Sequence, residues 1–129
     1  MFIFSIPLKV WNGIEFGGYL NIAQEVTPVS NNSRRWVSIY ANYKLDFLSN
    51  NAVNYYDFLK KTKEHKYCIV DIEIAKDILQ RSENIQYDDV ISMKYYPADS
   101  KEELVKIIDK LKVNQEDFVP EWKCDYPLR

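Results

Sequence analysis

Apolar side chains alternate without a break at the start of this chain, with Phe2, Phe4, Ile6, Leu8 and Val10 on one side and Ile3, Ser5, Pro7 and Lys9 on the other. A period of two is the signature of a half-buried strand. Residues 14 to 22 repeat the pattern with Ile14, Phe16, Leu20 and Ile22, so the two segments are expected to pair as an N-terminal hairpin. Register then selects the loop. A two-residue turn at Asn12-Gly13 would face Val10 with Glu15 and put the two apolar rows on opposite faces of the sheet. A three-residue loop, Trp11-Asn12-Gly13, faces Val10 with Ile14, Leu8 with Phe16 and Phe4 with Leu20. It places Gly13 at the left-handed position of a type I turn with a G1 bulge and Trp11 at the exposed tip.

The rest of the chain reads as alternating element types. Residues 27 to 33, TPVSNNS, are turn-forming. Val37, Ile39, Ala41, Tyr43, Leu45 and Phe47 mark a third strand. Ala52, Val53, Tyr56 and Leu59 fall at helical spacing up to Glu64, with Lys60, Lys61 and Lys63 near the end, where cations suit the helix dipole. KYCIV, residues 66 to 70, reads as a buried strand, and Asp71 as the cap of a helix carrying Ile74, Ala75, Ile78 and Leu79. DVISMKYY, residues 89 to 96, is a further strand that Pro97 should end. Ser100 and Glu103 form a capping box ahead of Leu104, Ile107, Ile108 and Leu111. This order implies an α+β fold: a mostly antiparallel sheet of about five strands beginning with the N-terminal hairpin, with three helices packed on one of its faces. A single domain over residues 1–129 is expected. Residues 114–129 are too apolar for a free tail, with Phe118, Val119, Trp122 and Tyr126, and should wrap back over it.

All three glycines lie between residues 13 and 18. They match neither a Walker A loop, since Gly18 is followed by Tyr19 and Leu20, nor the GxGxxG of a dinucleotide site. Close backbone approach is the better reason for Gly17 and Gly18, with Gly18 beside Ile6 on the core face. His65 is the only histidine, and with the scattered Cys68 and Cys124 it builds no zinc site, so no metal or cofactor is expected. The two cysteines belong to no CxxC pair and read as free thiols in a reducing compartment. Asp71 and Glu73 have no metal-binding context. No nucleophile elbow or activated cysteine is present.

Charge decides the partner class. The net charge is −2, which gives no field to draw the chain onto nucleic acid or an anionic membrane. The acidic bias sits late in the chain, where residues 86 to 129 hold ten Asp/Glu against seven Lys/Arg. Aromatics reach 15%, including ten tyrosines, more than a core of this size can hide. No basic leader with a small-residue cleavage site and no long apolar run is seen, so a cytoplasmic protein is expected. The profile suggests a non-catalytic inhibitor that covers a basic protein, such as the active site of a nuclease, as a bacterial immunity protein does with its toxin. The expected contacts are Trp11 at the hairpin tip, Tyr87, Asp88 and Asp89 at a strand end, and Glu116, Asp117, Glu121, Trp122 and Tyr126 in the C-terminal segment. The rivals are a small enzyme using His65 with a nearby carboxylate, and a mobile-element accessory protein that blocks a host factor.

Overall fold

The computed structural model describes residues 3–44, 57–81 and 90–127. Its centre is a five-stranded antiparallel sheet built from β1 (Asn21–Val26), β2 (Ser33–Tyr40), β3 (Tyr67–Ala75), β4 (Val90–Ala98) and β5 (Val119–Pro120), in the order β4-β3-β2-β1-β5. Four α-helices accompany it among the described residues: α1 (Leu8–Glu15), α2 (Asp57–Lys61), α3 (Lys76–Arg81) and α4 (Lys101–Leu111). The α+β class and an antiparallel sheet of five strands match the expectation, but two of those strands are not the expected ones: β1 and β5 take the place of the expected N-terminal hairpin.

The N-terminal hairpin does not form. Residues 8 to 15 are helical, Pro7 stands at the helix start, and its carbonyl accepts the amides of Val10 (3.0 Å) and Trp11 (2.9 Å). Proline suits a helix start because its φ is already helical and an amide there has no partner to lose. Over so short a window the alternating positions also fit a helix, and burial settles the matter: Trp11 and Ile14, three apart, are 1% and 0% exposed. Trp11 is therefore packed against Phe4 and Tyr67 rather than displayed at a tip. Gly13 is a helical residue, and no glycine has a positive φ. Gly18 is exposed, and a Cβ there would touch nothing within 4 Å, so it makes no room for Ile6.

Helices cover both faces of the sheet, not one. Ile22, Val37, Ile39, Tyr67 and Ile69 form one core with Trp11 and Ile14 of α1 and Leu104 and Ile108 of α4. Ala23, Trp36, Tyr40, Val70, Ile72 and Ile74 form the other, with Phe58 and Leu59 of α2, Ile78 and Leu79 of α3, and Tyr126. The near-continuous apolar runs of β2 and β3 follow from this arrangement, since a central strand covered twice has no polar face to show. At 25 cal/mol per Å², each fully buried Ile or Trp in these cores contributes about 2 kcal/mol or more of transfer free energy.

Three boundaries move. β3 runs through Asp71 to Ala75, so Asp71 caps no helix and Glu73 lies in a strand. β4 continues through Pro97, which faces Cys68, and β5 contains Pro120. Both prolines lie on edge strands, where a missing amide costs no ladder bond. Ser100 does cap α4, accepting the Glu103 amide, while the Glu103 carboxylate reaches the Asp99 amide at 3.1 Å rather than that of Ser100. The helix read from Ala52 to Glu64 is seen as α2 over Asp57–Lys61, its start at 52–56 lying outside the described residues. The third strand ends at Tyr40, with Tyr43 in a 3-10 turn, and its expected end at Leu45–Phe47 also lies outside them.

Candidate functional site

The C-terminal segment supplies the most distinctive surface. After α4 the chain turns through Gln115–Asp117, pairs as β5 with Ile22 and Ala23, and turns again at Glu121–Lys123. Its end is then fixed across the second sheet face. The Trp36 indole donates to the Cys124 carbonyl at 2.8 Å, and the hydroxyls of Tyr40 and Tyr126 meet at 2.8 Å. Tyr126 is fully buried, so it holds the segment in place and cannot touch a partner. Trp122 is the reverse case, with 52% of its surface exposed.

Trp122 does not stand alone. Its ring meets Tyr19 edge-on, with centroids 5.2 Å apart and planes at 84°. Tyr19 lies in the turn between α1 and β1, where Phe16 and Leu20 are also exposed, at 82% and 45%. The ring of Tyr19 rests on the bare α-carbon of Gly13: a Cβ there would stand 2.1 Å from it. Lys44 secures the turn by donating to the carbonyls of Ile14, Gly17 and Tyr19. The glycine cluster thus seats an aromatic ring at the end of a helix. Carboxylates accompany this surface along the chain: Glu116 and Asp117 are exposed, Glu121 is half-buried, and Asp125 is exposed within 3.9 Å of Arg34.

The expected contact residues separate accordingly. Glu116, Asp117, Glu121 and Trp122 belong to one segment, on which Glu116, Asp117 and Trp122 are exposed while Glu121 is half-buried with its Oε2 shielded from solvent. Trp11 and Tyr126 are buried, which removes them as contacts. Tyr87, Asp88 and Asp89 lie outside the described residues. Phe16, Tyr19 and Leu20 were not anticipated, because a strand reading of residues 14 to 22 assigned Phe16 and Leu20 to the core face. The signal available in the sequence was Gly13 inside an eight-residue window that also fits a helix.

Other chemistry is more modest. His65 Nδ1 lies 3.0 Å from Asp99 Oδ2, the carboxylate that sequence alone did not identify. Asp99 also accepts the Lys66 amide at 3.0 Å, and the His65 hydrogen bond, aided by that amide, holds its carboxyl below the usual range. Both side chains face solvent, at 41% and 53% exposure. Cys68 and Cys124 are free, and burial pushes each thiol up to about 11, which leaves almost no thiolate at neutral pH. Arg35 is bidentate to Asp71, at 2.8 and 2.7 Å, and Arg34 to Glu25, at 2.7 Å for both bonds. A cleft of about 350 Å³ between β1 and the end of α4 is lined by Gln24, Glu25, Arg35 and Asp117, and its charges are largely spent in these pairs. Among the described residues no cluster of His, Cys, Asp and Glu could hold a metal, and no helix is long and apolar enough to cross a membrane.

No protein-family model, curated protein or solved structure matches this chain. Function must therefore be argued from the surface itself.

Proposed function

We propose that this chain is a non-catalytic protein-binding inhibitor, an immunity protein that neutralises a toxin by covering its basic active surface. The observation that carries the reading is Trp122, half exposed on a segment that is otherwise pinned down, with its ring against Tyr19 of a turn that also exposes Phe16 and Leu20. Large apolar groups gathered on a surface mark interaction sites, and tryptophan with tyrosine is the usual composition of binding hot spots. Residues 116 to 125 add four carboxylates against the single cation of Lys123, a balance that favours a cationic partner and speeds encounter with it. A nuclease, whose active surface must attract phosphates, fits that description.

The test is genetic and biochemical. The gene immediately upstream should encode the toxin: its product, expressed alone, should arrest growth, and co-expression of this chain should restore growth and yield a one-to-one complex. Failure of this chain either to restore growth or to bind that product refutes the reading.

The His65–Asp99 pair supports a second reading, a small hydrolytic enzyme in which the carboxylate orients the imidazole. Its exposure counts against it, because a catalytic pair gains most of its strength from a site that excludes water. Replacing His65 with Ala separates the two readings, since only an enzyme would lose its action.

A further inference from the structure

We propose that Tyr19, seated on Gly13, and Trp122, which meets it edge-on, form with the exposed Phe16 and Leu20 of the α1–β1 turn a pre-assembled anchor that inserts into an apolar pocket rimmed by Lys and Arg on the partner protein. This deepens the inhibitor reading and rests on it.

Pre-assembly is visible in each component. The Tyr19 ring lies against Gly13, whose missing side chain provides the seat. The carbonyls of Ile14 in α1 and of Gly17 and Tyr19 in the turn converge on the Lys44 ammonium, which ties the turn to the helix. Trp122 is held from below by the pairing of Pro120 with Ile22 and from the side by the Tyr19 ring. Side chains ordered before binding lose little freedom on docking, so more of their burial appears as affinity. A purely structural aromatic pair would bury its members, and here Trp122 remains half exposed, with Phe16 and Leu20 of the adjoining turn exposed as well.

Charge identifies the partner. Glu116 and Asp117 are exposed just before Trp122 on the same segment and Asp125 just after it, against the one cation of Lys123. At the roughly 3.6 Å per residue of a fully extended chain, the five residues from Asp117 to Trp122 span at most about 18 Å. Aromatic anchor and acidic groups therefore fit within one footprint of standard size, about 800 Å² per partner. A protein surface that pairs an apolar pocket with cations satisfies both. An anionic bilayer would accept the aromatic rings and repel the carboxylates.

Selection from a phage-displayed library of random dodecapeptides on the immobilised chain tests the proposal. Enriched peptides should combine Arg or Lys with aromatic or aliphatic residues, and Trp122→Ala should weaken their binding about 30-fold or more, as a hot-spot truncation does. Gly13→Ala should weaken it by a similar factor while the thermal melt stays cooperative, and Gly18→Ala, with open space at its Cβ, should leave it unchanged. Peptides that bind Trp122→Ala and Gly13→Ala as tightly as the unaltered chain would overturn this anchor and leave the inhibitor reading standing. Absence of enrichment, or enrichment of acidic peptides, would defeat both. Binding of the chain to vesicles of one part anionic to three parts zwitterionic lipid, abolished by Trp122→Ala, would assign the surface to a membrane instead.

Discussion

Glu73→Gln should lower stability by about 2 kcal/mol at neutral pH, and the loss should fade as the solution is acidified. Glu73 is 6% exposed on β3, opposite Arg35, and its carboxylate accepts the Ser33 hydroxyl and the amides of Val29 (3.2 Å) and Ser30 (3.4 Å). It thereby closes the loop that joins β1 to β2. Hydrogen bonds to an ionised acceptor contribute about 1.5–3 kcal/mol each when buried. Val29 and Ser30 are exposed and their bonds long, so they count for less than the Ser33 bond. Glutamine keeps one carbonyl oxygen for these donors but turns its NH₂ toward the rest, which gives the figure of about 2 kcal/mol. Burial raises the Glu73 pKa, yet the Ser33 hydroxyl, the two amides and Arg35 outweigh it and leave the folded value below the ordinary one. A depressed folded pKa stabilises above the unfolded value, about 4.3, and that contribution is lost as pH falls through the folded value. Urea unfolding followed by tryptophan fluorescence from neutral pH to about pH 3 reads the difference between the two proteins. Glu25 and Asp99, also depressed, titrate equally in both and cancel. A penalty that stays constant across this range would show that the charge of Glu73 does not close the loop.

Two further perturbations probe the packing. Trp11→Ala removes a side chain that contacts Phe4 and Tyr67 and whose indole donates to Glu15 at 2.7 Å. The expected cost is about 3–5 kcal/mol, a large share of the stability of a small domain, seen as a sharp fall in Tm. A shift of only a degree or two would return Trp11 to the surface. Tyr126→Phe deletes the hydroxyl facing Tyr40 and should cost about 1 kcal/mol, measured by denaturant titration, while leaving the Trp122 surface able to bind. An unchanged midpoint would mean that this bond does not hold the segment.

The sheet was legible where pattern and environment agreed. In β2, β-branched and aromatic residues coincide with burial on both faces, and in α4 the Ser100 cap starts an amphipathic run that the structure retains. The N-terminus misled because Phe4 to Val10 fits period two while the decisive contact, Trp11 against Phe4 and Tyr67, joins parts of the chain that no local pattern connects. Asp71 and Glu73 were misplaced for a related reason: their partners, Arg35 and Ser33, stand on the neighbouring strand, and register alone brings them together. Trp122 was visible as an aromatic in an acidic segment. Its partner Tyr19 was not, since only the three-dimensional approach of the α1–β1 turn to the end of β5 joins them.

The central claim, that this chain acts by binding a protein through the Trp122 face, is tested most directly by calorimetric titration of the purified chain into the product of the gene immediately upstream. Saturation at one to one is expected, with affinity reduced about 30-fold or more in Trp122→Ala and unchanged in His65→Ala. Absence of binding, or Trp122→Ala binding as tightly as the unaltered chain, would contradict it.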